Sequence, residues 1–134
     1  MRQRNNTRWI PLIQGIYFTI TALWPIININ NFMAVTGYKT DIWLIYAVSV
    51  LLAPLIVILF NVAFRPTPIP LTYTLAIIAG TAGLMVIEFT YYFNGTISKI
   101  YLADAILELI FLLWWIYMLS RHFGRKKYNV RYNN

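Results

Sequence analysis

Residues 42–64 read IWLIYAVSVLLAPLIVILFNVAF, 23 positions without one charged side chain. At about 1.5 Å of rise per residue, a helix of that length crosses the roughly 30 Å hydrocarbon core of a bilayer. The same reading extends outward to Trp9–Ile27, Leu71–Phe93 and Ile100–Leu119. Apolar residues fill these four runs continuously, where the surface helix of a soluble fold would show them only along one stripe. The 134 residues are 60% hydrophobic and 11% charged, against about 25% charged in an ordinary soluble domain. The expected fold class is therefore all-α: a polytopic membrane protein, a four-transmembrane-helix bundle, with residues 1–134 forming one domain. The first run is the weakest, diluted at its start by Pro11, Gln14 and Gly15. It reads as a span and not as a cleaved leader, because Trp24-Pro25 closes it and no small-residue cleavage site follows.

The net charge of +7 is placed as a membrane protein places it. Arg2, Arg4 and Arg8 precede the first run, Arg65 lies between the second and third, and Arg121, Arg125, Lys126, Lys127 and Arg131 follow the fourth. A four-span chain puts these nine on one side and only Lys39 and Lys99 on the other. By the positive-inside rule both termini are cytoplasmic (N-in/C-in), in a multi-pass protein of a bacterial inner membrane. Anionic headgroups, not nucleic acid, are the expected partner of the basic C-terminal tail, which reads as disordered. There is no cysteine, which excludes disulfides and thiolate chemistry, and His122 is the lone histidine. No cofactor and no metal are expected, since one histidine cannot build a histidine metal cluster.

Three carboxylates interrupt the apolar runs: Glu88 in the third, Asp104 and Glu108 in the fourth. An ionisable side chain at membrane depth marks a functional site by default, because lipid offers it neither water nor counter-charge. The hairpin between these runs turns near Thr96, and Glu88 and Asp104 each stand eight residues from it, so they share a depth. Asp104 and Glu108 are four apart and lie on one helical face. If that face points at Glu88, three carboxylates converge. Ionised together they would repel, so at least one is expected to hold its proton near neutral pH. Lys99, at the membrane edge, is poorly placed to neutralise Glu108. Tyr91, Tyr92, Tyr101, Thr90 and Asn28 are expected to add polar contacts, with Trp24 beside Asn28. Two structural readings compete: Glu88 and Asp104, about 8–12 Å below the hairpin end, are wetted at the interface, or a protonated Glu108 makes an interhelical hydrogen bond.

Other motifs have structural readings. Thr19, Thr21 and Asn28 form a polar ladder on helix one, where Pro25 disturbs the last turn. The connector ININNFMAVTGYKT carries Phe32, Met33, Ala34 and Val35 and so dips into the interface or folds over the bundle, as a lid or as a plain connector. Asp41 or Thr40 caps the second span, with Lys39 as neighbour, and Ser98 caps the fourth. Pro54 bends the second span, and Pro66, Pro68 and Pro70 stiffen the link to the third. Gly80, Thr81, Ala82 and Gly83 form a packing seam. Asn94-Gly95-Thr96 is formally a glycosylation acceptor and more simply a turn. Trp114, Trp115 and Tyr117 read as an interfacial aromatic belt.

The segment ALWPIININNFMAVTGYKTDIWL, residues 22–44, resembles a stretch of small, uncharacterised four-helix bacterial membrane proteins. Trp24-Pro25, Phe32-Met33, Val35-Thr36-Gly37 and Lys39-Thr40-Asp41 carry the likeness over about a sixth of the chain. It implies a class without a chemistry. In bare architecture the chain is also similar to DoxX-like proteins and to the sterol-isomerase/sigma-2-receptor group, which sets acidic residues inside a compact helical bundle. That likeness implies a small lipophile as ligand and transfers no catalytic residue.

The functional expectation is an intramembrane acidic pocket for a small hydrophobic or amphipathic ligand, including a cationic one. Its residues are Glu88, Asp104, Glu108, Tyr91, Tyr92, Asn28, Trp24, Tyr101 and Asp41. Proton- or cation-coupled transport, acid–base isomerisation of a lipophilic substrate, and a structural accessory role stay open, as does a homo-oligomer.

Overall fold

The computed structural model describes residues 8–132, with side chains through residue 121. Arg2 and Arg4, and the side chains of His122 and the other tail residues, lie outside what it describes. Its five helices are α1 (Trp9–Ile27), α2 (Ile29–Thr36), α3 (Ile42–Phe64), α4 (Leu71–Phe93) and α5 (Ile100–Tyr132). Of these, α1, α3, α4 and the Ile100–Arg121 part of α5 are long and apolar enough to cross a membrane. The chain is all-helical with four candidate spans, as a multi-pass membrane protein requires.

The solvent for which this fold is built can be read from its two surfaces. No span buries more than 33% of its most apolar window inside the bundle, and Trp43, Leu51, Val57 and Phe64 point outward. In water such an apolar coat would be an aggregation surface; in lipid it is solvated. The interior, conversely, takes polar side chains: Gln14, Ser49, Thr74, Thr81 and Glu108 are all buried. Pro11, Gln14 and Gly15, which dilute the first run as sequence, are thus the inward face of α1.

The helices close in pairs. α1 packs along α3, and α4 along α5, with a looser contact between α3 and α4. Gly15 lets α1 settle on Leu59 and Phe60 of α3, and a Cβ at Gly80 would collide with the Leu55 side chain, so the seam of small residues acts at that glycine. Gly83 faces open space and takes no part in it. Between α1 and the α4–α5 pair the backbones stay apart, and side chains bridge the gap. Phe18, Leu52, Leu59, Ile77 and Trp115 fill its centre.

Several local expectations change in the folded chain. The 28–40 connector folds over one end of the bundle as α2, which buries Phe32 and Thr36. The Asn28 side chain accepts from the Asn31 amide at 2.9 Å, and Phe32 sets its ring edge-on to Trp24 at 5.6 Å. Ser98 does not cap α5 through its side chain: its hydroxyl donates to the Thr36 carbonyl at 2.9 Å and fastens α2 to the start of α5. Asp41 occupies the N-cap position of α3 without a side-chain capping bond, taking a hydroxyl bond from Thr40 instead. Gly37 ends α2 at φ 93° and Gly95 turns the α4–α5 hairpin at φ 70°, backbone that only glycine adopts freely. Trp115 is no interfacial residue but fully buried. α5 is bounded at Tyr132, and the expectation of a disordered basic tail falls on residues beyond Arg121, outside the described side chains.

Candidate functional site

None of the four spans contains a lysine or arginine between its first residue and Ser120, and together they hold three acids. Those three meet. One carboxylate oxygen each from Glu88, Asp104 and Glu108 lie within 4.8 Å of one another. α4 and α5 are antiparallel partners, so residues equidistant from their turn come level, and the i,i+4 spacing on α5 stacks Glu108 one turn beyond Asp104.

The cluster is only partly satisfied by the protein. Tyr17 reaches across from α1 and its hydroxyl donates to Asp104 Oδ1. Glu108 is 2% exposed, yet its Oε2 has no hydrogen-bond partner, and neither has the buried Oε2 of Glu88. A buried polar atom left open costs about 1–3 kcal/mol, more when charged. Placing an acid at the centre of a membrane helix costs about 2.5–3.5 kcal/mol on insertion scales. An interhelical hydrogen bond returns only about 0.6 kcal/mol on average, and about 1.7 at most. Interhelical hydrogen bonds of that size therefore do not offset three acids, two of which keep a buried oxygen unpartnered.

Around the cluster the rings of Tyr17 and Phe111 stand 6.2 Å apart, and Ala105 is fully buried beside Asp104 in sequence. About one turn back along α1 from Tyr17 a second polar group closes on itself. Trp115 Nε1 donates to Gln14 Oε1 at 2.7 Å, and Gln14 Nε2 donates to Thr81 Oγ1 at 2.9 Å. This network ties α1 to both α4 and α5 and fixes the face on which Tyr17 lies.

Among the other expected site residues, Tyr101 stands near Glu88 and Asp104. Asn28 caps α2, and Trp24 Nε1 donates to Asn31 Oδ1 at 2.9 Å. Tyr91 is 48% exposed, and Tyr92 packs edge-on against Phe93. Tyr101 lies under the Lys39 ammonium, 4.9 Å from its ring centre; partial burial holds Lys39 below the usual lysine pKa. Asp41 is exposed at the start of α3. Tyr17 is the member that sequence reasoning missed. The signal was the spacing Gln14, Tyr17, Phe18, Thr21 along one face of α1, which the ladder of Thr19, Thr21 and Asn28 cuts across.

Three carboxylate oxygens in reach of one point form an oxygen-only donor set, able to hold a cation, a protonated amine or a shared proton. No protein-family model, curated protein or solved structure matches this chain. The chemistry of the site therefore rests on its own residues.

Proposed function

We propose that this protein binds a small amphipathic molecule from the membrane, with the positively charged end seated among Glu88, Asp104 and Glu108. The observation that carries the reading is the orphaned Oε2 of buried Glu108, on a side chain that also brings a carboxylate oxygen within 4.8 Å of two further acids, in spans with no basic residue before Arg121. A cation entering there meets acceptors already desolvated, in surroundings that strengthen their attraction. The apolar remainder of the ligand extends from the cluster toward lipid, along the side of the bundle that carries Tyr17 and Phe111. The proposed setting is a bacterial inner membrane with both termini cytoplasmic. It is supported by the excess of basic residues at the end where Arg8 donates to the Arg65 carbonyl at 3.1 Å. There those side chains meet anionic headgroups.

Transport is the weaker reading. The three acids of the spans sit together within one helical turn of depth, and no acidic residue continues across the other half of the bundle. The test is mass spectrometry of small molecules that copurify with the wild type and with Glu108→Gln, corrected for bulk lipid. One species held by the wild type and lost from the variant is expected; identical profiles would refute the reading.

A further inference from the structure

The geometry points to a primary ammonium as the charged end that the Glu88–Asp104–Glu108 cluster selects. This rests on the amphiphile reading above and narrows it. Three oxygens no more than 4.8 Å apart always have some point within about 2.8 Å of all of them. Charge-assisted N–H···O bonds measure about 2.7–2.9 Å. A nitrogen near that point is thus within bonding reach of every acid. A primary ammonium carries three N–H donors and no acceptor, so three donors meet one acceptor oxygen from each acid.

Competing cations match less well. A quaternary ammonium has no N–H to give, and its methyl groups occupy the gap themselves; such groups are held by aromatic cages. Here Tyr17, which bonds Asp104, and Phe111 stand at a tilt of 45° to each other, which is not a cage. A calcium ion takes about 6–8 oxygen ligands, and magnesium a near-octahedral set with several waters retained. The site offers three carboxylates, the Tyr17 hydroxyl already donates to Asp104, and Glu108 at 2% exposure leaves little access for a water shell. Asp104, fixed by Tyr17, is the anchoring carboxylate.

The experiment compares dodecylamine with dodecyltrimethylammonium, titrated calorimetrically into the full chain in zwitterionic nanodiscs, with empty nanodiscs subtracted. Dodecylamine is expected to bind saturably, one per chain, at least about tenfold more tightly than the quaternary amine, the discrimination that hydrogen bonds to charged groups give. Glu108→Gln and Asp104→Asn should each remove that preference, while Asp41→Asn should keep it. Circular dichroism and monodispersity establish that each variant is folded. Equal affinity for the two amines overturns the primary-ammonium assignment and leaves the amphiphile reading standing. If neither amine binds a folded wild type, both fall. Calcium or manganese that saturates the site and excludes dodecylamine also overturns the assignment, in favour of a metal.

Discussion

Two buried polar groups occupy the same bundle and follow opposite rules. The Gln14–Thr81–Trp115 network joins three helices, with Trp115 Nε1 and Gln14 Nε2 each donating to a buried acceptor. The Glu88–Asp104–Glu108 cluster, on the same α1 face by way of Tyr17, leaves two buried oxygens without partners. A closed network holds helices together and needs nothing more. An open one lowers stability until something binds, so the contrast separates what builds this protein from what it is proposed to do.

Substitutions should pull the two regions apart. The largest effect is expected from Glu108→Gln, which should weaken amphiphile binding by about 30-fold or more, as loss of a charge-assisted bond does, while the folded state is at least as stable as the wild type. Unchanged binding would erase the distinction. Gln14→Ala should do the reverse: a loss of about 1–3 kcal/mol in stability, because the Trp115 N–H is left buried and unpaired, measured by unfolding in mixed detergent micelles. Gly80→Leu should cost about 1–3 kcal/mol through overpacking on Leu55, with ligand selectivity kept; lost selectivity would mean that the seam positions the site. Tyr17→Phe should weaken binding by only about three- to tenfold, since it frees Asp104 without removing it. Asp41→Asn should change stability by less than about 0.5 kcal/mol, as exposed substitutions do.

How much of this was legible beforehand depends on what lipid makes visible. The four spans are continuous in the sequence, and Trp9–Ile27, Ile42–Phe64 and Leu71–Phe93 match helix bounds residue for residue, because length and charge exclusion are one-dimensional properties. The meeting of Glu88 with Asp104 and Glu108 was also within reach, since a short hairpin fixes relative depth and i,i+4 spacing fixes the face. Partners from α1 were not, because no local rule sets the rotation of a helix 70 or more residues away. Tyr17 and Gln14 looked like an ordinary aromatic and a diluting amide, and only the packing of α1 turns them inward. Trp115 misled for a related reason. A tryptophan near a span end satisfies its N–H either in the headgroups or on a buried acceptor, and the acceptor, Gln14, lies 101 positions distant.

Since the chain has no cysteine, pairs of thiols can be introduced without background. The most direct measurement is cross-linking of a Glu88→Cys/Glu108→Cys variant in native membranes with a short bifunctional thiosulfonate, read as protection of both thiols from a mass tag. Convergence of the two acids inside the bundle predicts rapid intramolecular bridging, and none in a Glu88→Cys/Asp41→Cys control. Thiols that each react singly but never bridge would place the acids on separate surfaces and contradict the account.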